Sequence, residues 1–392
     1  MRRAAKLLSL VLLLYGAANA YRIYQRLYYM WLPDYFRKIT AASPQPQSPV
    51  HILFYFTDHF EPAEHRERVL QWESEYPKLA NRHRDSAGRP LQHGWFFPGE
   101  QPNDEYMQRL RNLVAAGYGE VELHYHHNHD TDDSIRAKYQ KAIAWFQQFG
   151  FLKTLRGGTH FAFIHGNWAL DNSVAAWCGS NHELRILRDL GGFADYTFPA
   201  IWTTAQPAIV NSVYEATDDD GPKSYNRGEY VRVGREPAGD LMILEGPLRI
   251  LPSRSVKHLF WDVEDGNIHH AVPLSNQRVD AWVKANVHVE GRPEWVFVKV
   301  HGHMAETQQE VDDMFNGAFD RAMYYLEKRY NDGKNYVLHY VTAREAYNIA
   351  RAAAAGRTGD PGQYLDYVIP PYVADGPRPG AVTSVQAAGV SR

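Results

Sequence analysis

Side chains that can bind metals or move protons recur in four short segments of the sequence. The segments are HILFYFTDHFEP at 51–62, VELHYHHNHD at 121–130, FAFIHGNWALDN at 161–172 and EWVFVKVHGHMAET at 294–307. In each of them, polar residues follow an apolar run that is typical of a buried strand. In a barrel of parallel strands and helices, all strand carboxyl ends open onto one face. The pattern therefore predicts that these side chains converge there and form a hydrolytic centre.

The densest group of candidate metal ligands lies between His124 and His129. Because side chains alternate along a strand, His124 and His126 share one face and can bind a single cation. The alternative is a surface cluster of histidines, but the apolar residues on the opposite face favour a metal site. The chain has one cysteine, Cys178, which excludes an intrachain disulfide and a cysteine-based zinc site. Histidine and carboxylate groups are therefore the expected ligands.

The other segments carry candidates for proton transfer or substrate contact. Asp58 follows the first strand, where a carboxylate can serve as base or metal ligand, or simply cap the next element. His301 ends a late strand and can act as a general acid or as a loop cap. Asn167 can donate a hydrogen bond to an oxyanion or stabilise a tight turn. The candidates for contact with a substrate are His165, Asn167, Trp168 and His303.

The overall composition is that of an ordinary globular protein. Its 392 residues are 44% hydrophobic and 22% charged, enough for one large domain or two small ones. The net charge is −3 and there is no basic run, so no nucleic-acid partner is expected. Aromatic residues reach 13% of the chain. They suit core packing, and they also suit a cleft in which rings stack on sugars.

The N-terminus has the pattern of an export signal. Basic residues at positions 2, 3 and 6 precede an apolar run at 7–15, and Ala-Asn-Ala at 18–20 is a small-x-small cleavage pattern. Residues 21–36 mix Tyr, Trp and Leu with Arg, as in a segment at a membrane interface, so an uncleaved anchor is the alternative. Both interpretations place the main domain in the periplasm or cell envelope, with membrane association through the N-terminus in the second.

The rest of the chain alternates predicted strands and helices, which indicates an α/β fold built as a single barrel. The predicted domains are a signal peptide or membrane anchor at 1–20, an aromatic-basic segment with a Pro/Ser linker at 21–50, a barrel domain at 51–355, and a largely disordered tail at 356–392. Strands are predicted at 52–57, 92–97, 120–126, 161–165, 194–197, 230–233, 241–243, 296–301 and 336–341.

These segments resemble the polysaccharide deacetylase superfamily over about residues 50–350. Its catalytic domain, the NodB-homology fold, is an irregular (β/α)7 barrel. The first strand of that family ends in adjacent aspartates, a base followed by a metal ligand; Asp58 matches the first, and His59 stands at the second. The family's last motif is an apolar strand that ends in histidine, which His301 matches.

Two other family motifs are only partly present. The family has a pair of metal-binding histidines separated by three residues. His124 matches the first, but Asn128 stands at the second, so His126, His127 or His129 must substitute. Where the family has an Arg- and Pro-containing motif that orients the base, this chain has HGNW at 165–168.

The resemblance implies a metal-dependent hydrolase that removes N- or O-acetyl groups from an acetylated glycan. It implies a divalent cation, for which Zn²⁺ is expected, bound by His59, His124 and His126. Asp58 would be the base, or a ligand, and His301 the acid. The alternatives are another metal-dependent amidohydrolase, since His-x-His at a strand end also occurs in those barrels, and a catalytically silent glycan-binding or assembly protein. The departures from the aspartate and histidine motifs favour the silent protein.

Overall fold

A computed structural model describes residues 2–40 and 48–374 and shows a mixed α/β fold around one large sheet. In chain order the strands are β1 (Val50–His59), β2 (His93–Pro98), β3 (Gly119–Tyr125), β4 (Phe161–His165), β5 (Gly192–Asp195), β6 (Ser212–Ala216), β7 (Gly228–Tyr230), β8 (Leu241–Glu245), β9 (Arg249–Pro252), β10 (Trp261–Glu264), β11 (Asn267–Ile268), β12 (Trp295–Gly302) and β13 (Tyr336–Tyr340).

The large sheet is curled, and most of it is parallel. Its strand order is β11-β12-β1-β2-β3-β4-β5-β8-β6-β7, with β13 also paired to β1, while β9 and β10 form a separate hairpin. Six consecutive parallel pairings join seven strands, from β12 to β8. Only β6 and β7, at one edge, pair antiparallel. The predicted α/β class is confirmed, and the half-barrel shape is compatible with an α/β barrel.

Helices connect the strands and cover the sheet. They are α1 (Arg2–Gln25), α2 (Leu32–Thr40), α3 (Arg66–Arg82), α4 (Asp104–Ala115), α5 (Asp132–Gln148), α6 (Glu183–Asp189), α7 (Asn276–Lys284), α8 (Gln308–Phe315), α9 (Ala318–Tyr330) and α10 (Ala343–Ala354). Thr342 followed three residues later by Glu345 predicts a capping box, and the structure shows one at the start of α10. The apolar periodicity after Thr307 predicts one long helix, but the structure has two, because Gly317, with a φ of 97°, interrupts it.

The two faces of the sheet pack against different partners. On the outer face, alternate residues of β1 such as Phe54 and Phe56 share a core with helices α3, α4, α5, α7 and α9. On the inner face, Leu53 and Tyr55 join residues of the other parallel strands around α10. Almost every residue of α10 is buried, including the alanines that allow the strands to approach it closely. Helix α10 therefore fills the inside of the curled sheet.

A buried lysine connects the two ends of the parallel run. Lys299 of β12 donates from Nζ to the carbonyl oxygens of Leu244 on β8 and Tyr196, each at 3.0 Å. Burial lowers the pKa of Lys299 to about 8, although the nearby carboxylates of Glu245 and Asp195 oppose that shift. Within the described residues β8 and β12 are not paired directly, so this side chain draws the two edges together.

Both ends of the described chain pack onto the α/β domain around the curled sheet, so the packed region extends beyond the predicted 51–355. Trp31 and Tyr35 are buried against Leu248 and its neighbours. Residues 356–374, predicted to belong to the disordered tail, also pack: Tyr372 is buried and donates to Glu122 at 2.9 Å. Linker residues 41–47 and tail residues 375–392 lie outside the described residues. Among the described residues, one helix, Arg3–Gln25, is long and apolar enough to cross a membrane, as a signal sequence near the N-terminus also is.

The position of α10 inside the sheet can be tested by overpacking. We expect Ala350→Leu to lower the free energy of unfolding by about 1–3 kcal/mol, because the added carbons have no space between helix and strands. Ala355→Leu, at the exposed end of the helix, is the matched control and should change stability by less than about 0.5 kcal/mol. Denaturant unfolding measures both, and equal stabilities would contradict this packing.

Candidate metal centre

Three side chains converge at the carboxyl ends of β1 and β3. His59 is the last residue of β1, Glu61 follows two residues later, and His124 is the penultimate residue of β3. One donor atom from each lies within 4.8 Å of the others. The Nε2 atom of His124 is hydrogen-bonded to the Glu61 carboxylate. We call these three residues the rim triad.

The rim triad has the donor set of a catalytic zinc site. Two imidazoles and one carboxylate are a ligand set of zinc hydrolases, in which the fourth position is left open for reaction. The Nδ1 atoms of His59 and His124 are buried and have no hydrogen-bond partner. The Glu61 side chain is 15% exposed, so the triad borders solvent through its carboxylate. The residues present therefore fit a divalent cation.

The protonation states of the rim triad also suit a cation. Burial, reinforced by the neighbouring His303 and His124, holds the pKa of His59 well below its usual range. Burial likewise lowers the pKa of His124, against the charge of Glu61. For Glu61, burial alone would raise the pKa, but His124 and His126 outweigh it and bring it far below the ordinary value. Neutral imidazoles and an ionised carboxylate are the forms that bind metals.

His126 lies beside the triad, bound to two carboxylates. Its Nδ1 is 2.6 Å from Glu100 and its Nε2 is 3.2 Å from Glu61. Burial lowers its pKa, but the hydrogen bonds and charges of the two carboxylates outweigh this and raise it to about 10. The His126 ring lies over Gly166, where an added Cβ would come within 2.4 Å of it. His126, predicted as a ligand, thus contacts the triad through Glu61.

Asp58, the predicted base, points away from the centre. Its carboxylate is fully buried, with Oδ2 3.1 Å from Nε2 of His93 and Oδ1 accepting from the Met304 backbone N–H at 2.8 Å. Adjacent residues of a strand face opposite sides, so when His59 faces inward Asp58 faces the outer helices. The structure therefore does not bring Asp58 to the other candidates.

The end of β12 brings two predicted residues towards the triad. The ring of His303 stacks on that of His59, with centroids 4.4 Å apart. His301, paired in register with Thr57, has a buried Nδ1 without a hydrogen-bond partner. Burial holds the pKa of His301 well below its usual range, and the charges of Lys299 and His303 add to the effect. His303, in the loop directly after β12, is in contact with the triad.

Of the residues predicted after β4, only Trp168 reaches the centre. Its ring lies 5.9 Å from that of His59 and packs edge-on, at 4.5 Å, against Trp202, which is about half exposed. His165 is fully buried below this surface, so it is out of reach of a substrate. Asn167 donates its side-chain N–H to the carbonyl of His127 at 2.9 Å. The Asn167 amide therefore donates to the backbone of the protein and not towards the position of an oxyanion at the triad.

The sequence predictions missed the two carboxylates of this centre. Glu61 lies two residues after His59, so strand alternation could have indicated that both face inward. Glu100 follows β2 and His126 follows β3, and no local sequence pattern relates the two segments, so their contact was not predictable. Of the predicted residues, the structure brings together His59, His124, His126, Trp168 and His303, with His301 close by.

Comparison with known proteins gives no assignment: no protein-family model and no curated protein matches the chain.

The orientation of Asp58 predicts a structural role for it. We expect Asp58→Asn to lower the free energy of unfolding by about 1–3 kcal/mol, because the bond to His93 loses its charge. Metal retention should be unchanged, since the carboxylate faces away from the triad. Thermal unfolding and metal analysis of the purified variant measure the two effects, and Glu61→Gln is the comparison that should lose metal. Metal loss in Asp58→Asn would contradict this orientation.

Proposed function

We propose that this protein is a metal-dependent hydrolase that removes N- or O-acetyl groups from an exported polysaccharide. The observation that carries the proposal is the rim triad: His59, Glu61 and His124 present one donor each within 4.8 Å, at the open end of a curled parallel sheet. Active sites of α/β barrels lie at the carboxyl ends of their strands. The seven parallel strands are compatible with the irregular (β/α)7 NodB-like barrel that the motif order favours.

The triad would hold a divalent cation, and we propose Zn²⁺ because imidazole and carboxylate groups are common zinc ligands. Such a cation supplies Lewis-acid activation of an acetyl carbonyl and of water at neutral pH. His59 and His124 contribute neutral nitrogen donors from a dry environment, and Glu61 contributes the negative charge. His126 would become a further ligand only if its Nε2 left the Glu61 carboxylate and bound the cation instead.

Proton transfer requires a group other than Asp58. His126 is suited to donating a proton, because, despite its burial, the carboxylates of Glu61 and Glu100 raise its pKa to about 10 and keep it protonated, while the ring stays about a third exposed. On the opposite side of the triad, His303 is the nearest imidazole and can protonate a departing amine or alkoxide. His301, the acid implied by the family resemblance, lies two residues earlier, within β12.

The surroundings of the triad suit a glycan. Trp168 and Trp202 form an aromatic surface next to His59, and rings of this kind stack on the apolar faces of sugars. The competing candidate is a silent glycan-binding protein, which the burial of Asp58 on the outer face favours. A silent protein would keep the aromatic surface and have no need of the triad as metal ligands, so the metal that is lost when a triad residue is replaced separates the two.

We further propose that α1 is an uncleaved membrane anchor. The helix continues unbroken through the cleavage pattern at 18–20, and its end is bound to the β9–β10 hairpin. The Asn19 amide oxygen accepts from the Trp261 indole at 2.6 Å, and the guanidinium of Arg22 lies 4.1 Å from the centre of that ring. Cleavage after residue 20 would remove the first of these contacts.

The anchor predicts that the mature protein keeps its first 20 residues. In cells we expect it in the membrane fraction, released by detergent but not by alkaline carbonate, because an apolar helix of this length holds it there. Intact-mass measurement of the purified protein tests this. A mature chain that begins at Tyr21 would show that the segment is a cleaved signal.

The catalytic proposal predicts that the triad controls both metal and activity. We expect His124→Ala to lose the zinc bound by the triad and to reduce acetate release from acetylated glycans at least 100-fold, because a two-ligand site holds the cation poorly. The measurements are metal analysis and acetate release from a panel of N- and O-acetylated polymers. His65→Ala, which removes an exposed imidazole, is the matched control and should retain both. Full zinc and an unchanged rate in His124→Ala would contradict the proposal.

A further inference from the structure

A second group of metal-binding side chains lies wholly inside the protein. It consists of His127 after β3, His165 at the end of β4, Cys178 in the loop that follows, and Glu183, the first residue of α6. All four are buried, and one donor atom from each lies within 4.8 Å of the others. We call them the buried tetrad. None of them has a role in the centre described above.

The donor atoms of the tetrad lie close enough together to surround one cation. Nitrogen, sulfur and oxygen ligands about 2.0–2.3 Å from zinc lie about 3.3–3.8 Å from one another. The two carboxylate oxygens of Glu183 lie near such distances from the other donors: Oε1 is 3.2 Å from Nε2 of His127, while Oε2 is 3.4 Å from Sγ of Cys178 and 3.9 Å from Nε2 of His165. Because one donor atom from each residue lies within 4.8 Å of the others, small inward movements of the side chains bring them to coordination distance.

Two ring nitrogens of the tetrad are buried without a hydrogen-bond partner, Nδ1 of His127 and Nε2 of His165. An unsatisfied polar group is costly in a dry interior. In His165, Nδ1 accepts from the Asn167 N–H at 3.2 Å, so the ring proton of the neutral imidazole lies on Nε2. A cation at Nε2 would shift that proton to Nδ1, which would give up the long hydrogen bond from Asn167 in exchange for a coordinate bond at the unpartnered nitrogen.

The groups around the tetrad are those that support metal ligands. Nδ1 of His127 lies 3.2 Å from the Asp130 carboxylate without a hydrogen bond, so a small ring rotation would make the contact that orients a metal-binding imidazole. Backbone N–H groups of Asp171 and Asn172 donate to Glu183 and to the sulfur of Cys178. Both of these residues have a positive φ, near 52°, so the loop adopts an unfavourable conformation around these donors.

Charge balance selects a divalent cation for the tetrad. Two neutral imidazoles, one carboxylate and one thiolate carry a charge of −2, which a divalent cation reduces to zero. Neutrality matters because all four groups are excluded from water. A thiolate with imidazoles favours Zn²⁺ over the hard cations Mg²⁺ and Ca²⁺. On binding, the Cys178 thiol releases its proton to solvent and its sulfur bonds to the metal.

We propose that the buried tetrad is a second, structural zinc site that is separate from the rim triad. Four protein ligands leave no open position, as in structural rather than catalytic zinc sites. The site fixes the loop at 166–182, which carries Trp168 to the rim and has little regular secondary structure. It depends on residues of this chain alone and does not require the rim triad to be catalytic.

The single cysteine makes this site observable by itself. The full chain, without an affinity tag, would be stripped of metal with a chelator and loaded with Co²⁺. A thiolate bound to Co²⁺ gives a near-ultraviolet charge-transfer absorption, and Cys178 is the only thiol in the sequence. We expect this absorption in the wild type and in His124→Ala, and its loss in Cys178→Ser. Zinc analysis should give two equivalents for wild type and one for each variant.

The outcomes separate this proposal from the catalytic one. Absence of the charge-transfer absorption from cobalt-loaded wild type would overturn the second site, whatever the acetate assay shows. Its loss in His124→Ala would also overturn it, because the thiol would then belong to the triad's metal. Should Cys178→Ser fail to fold by circular dichroism, the comparison of wild type with His124→Ala decides. One zinc equivalent in wild type that His124→Ala removes would leave the triad as the metal site and refute the tetrad.

Discussion

The alternation of side chains along β1 determines which residues meet at the mouth of the sheet. His59 faces inward, so Glu61 reaches the same side, whereas Asp58 is directed into the helical layer and is bonded to His93. A shift of one residue in the register of β1 would exchange these roles and bury His59 among the outer helices. The pairing of β1 with strands on both sides, β12 on one and β2 with β13 on the other, fixes that register. The composition of the centre is therefore a consequence of strand pairing.

Burial of ionisable groups is the second feature that runs through the molecule. At the rim, burial keeps two imidazoles neutral while a partly exposed carboxylate remains ionised. In the tetrad, burial and the charge of Glu183 raise the pKa of the Cys178 thiol far above its usual value, and burial lowers that of His165 to about 3. Unpaired polar groups in a dry interior are costly, and a cation would relieve that cost in both places. Two sets of metal ligands, one bordering solvent and one closed, would serve chemistry and structure respectively.

The scaffold brings the two sets close to each other. Helix α10 fills the inner side of the sheet, and Lys299 joins β12 to β8 at the two ends of the parallel run. The histidines of both sets lie at the carboxyl ends of the strands, which α10 leaves uncovered. Neighbouring residues of one segment serve different sites: His124 belongs to the triad and His127 to the tetrad. The loop after β4 links them, because it carries Cys178 at one end and Trp168 at the other. A metal ion bound by the tetrad would thus fix the position of the aromatic surface formed by Trp168 and Trp202.

The sequence by itself determined the α/β class, most strands, the helix caps at Thr307 and Thr342, and the convergence of His59, His124 and His126. These follow from local patterns: apolar runs, alternation and capping residues a few positions apart. It did not determine the direction of the Asp58 side chain. An apolar run shows where a strand lies, but it does not show which alternate residues of that strand face the inside of the sheet. On the sequence alone, the single cysteine excluded a cysteine-based zinc site. That prediction did not consider a mixed site in which one cysteine is combined with two histidines and a glutamate. Only the tertiary structure decided that Glu61, Glu100, Cys178 and Glu183 meet histidines from other strands, since such contacts depend on sheet order and loop path rather than on neighbouring residues.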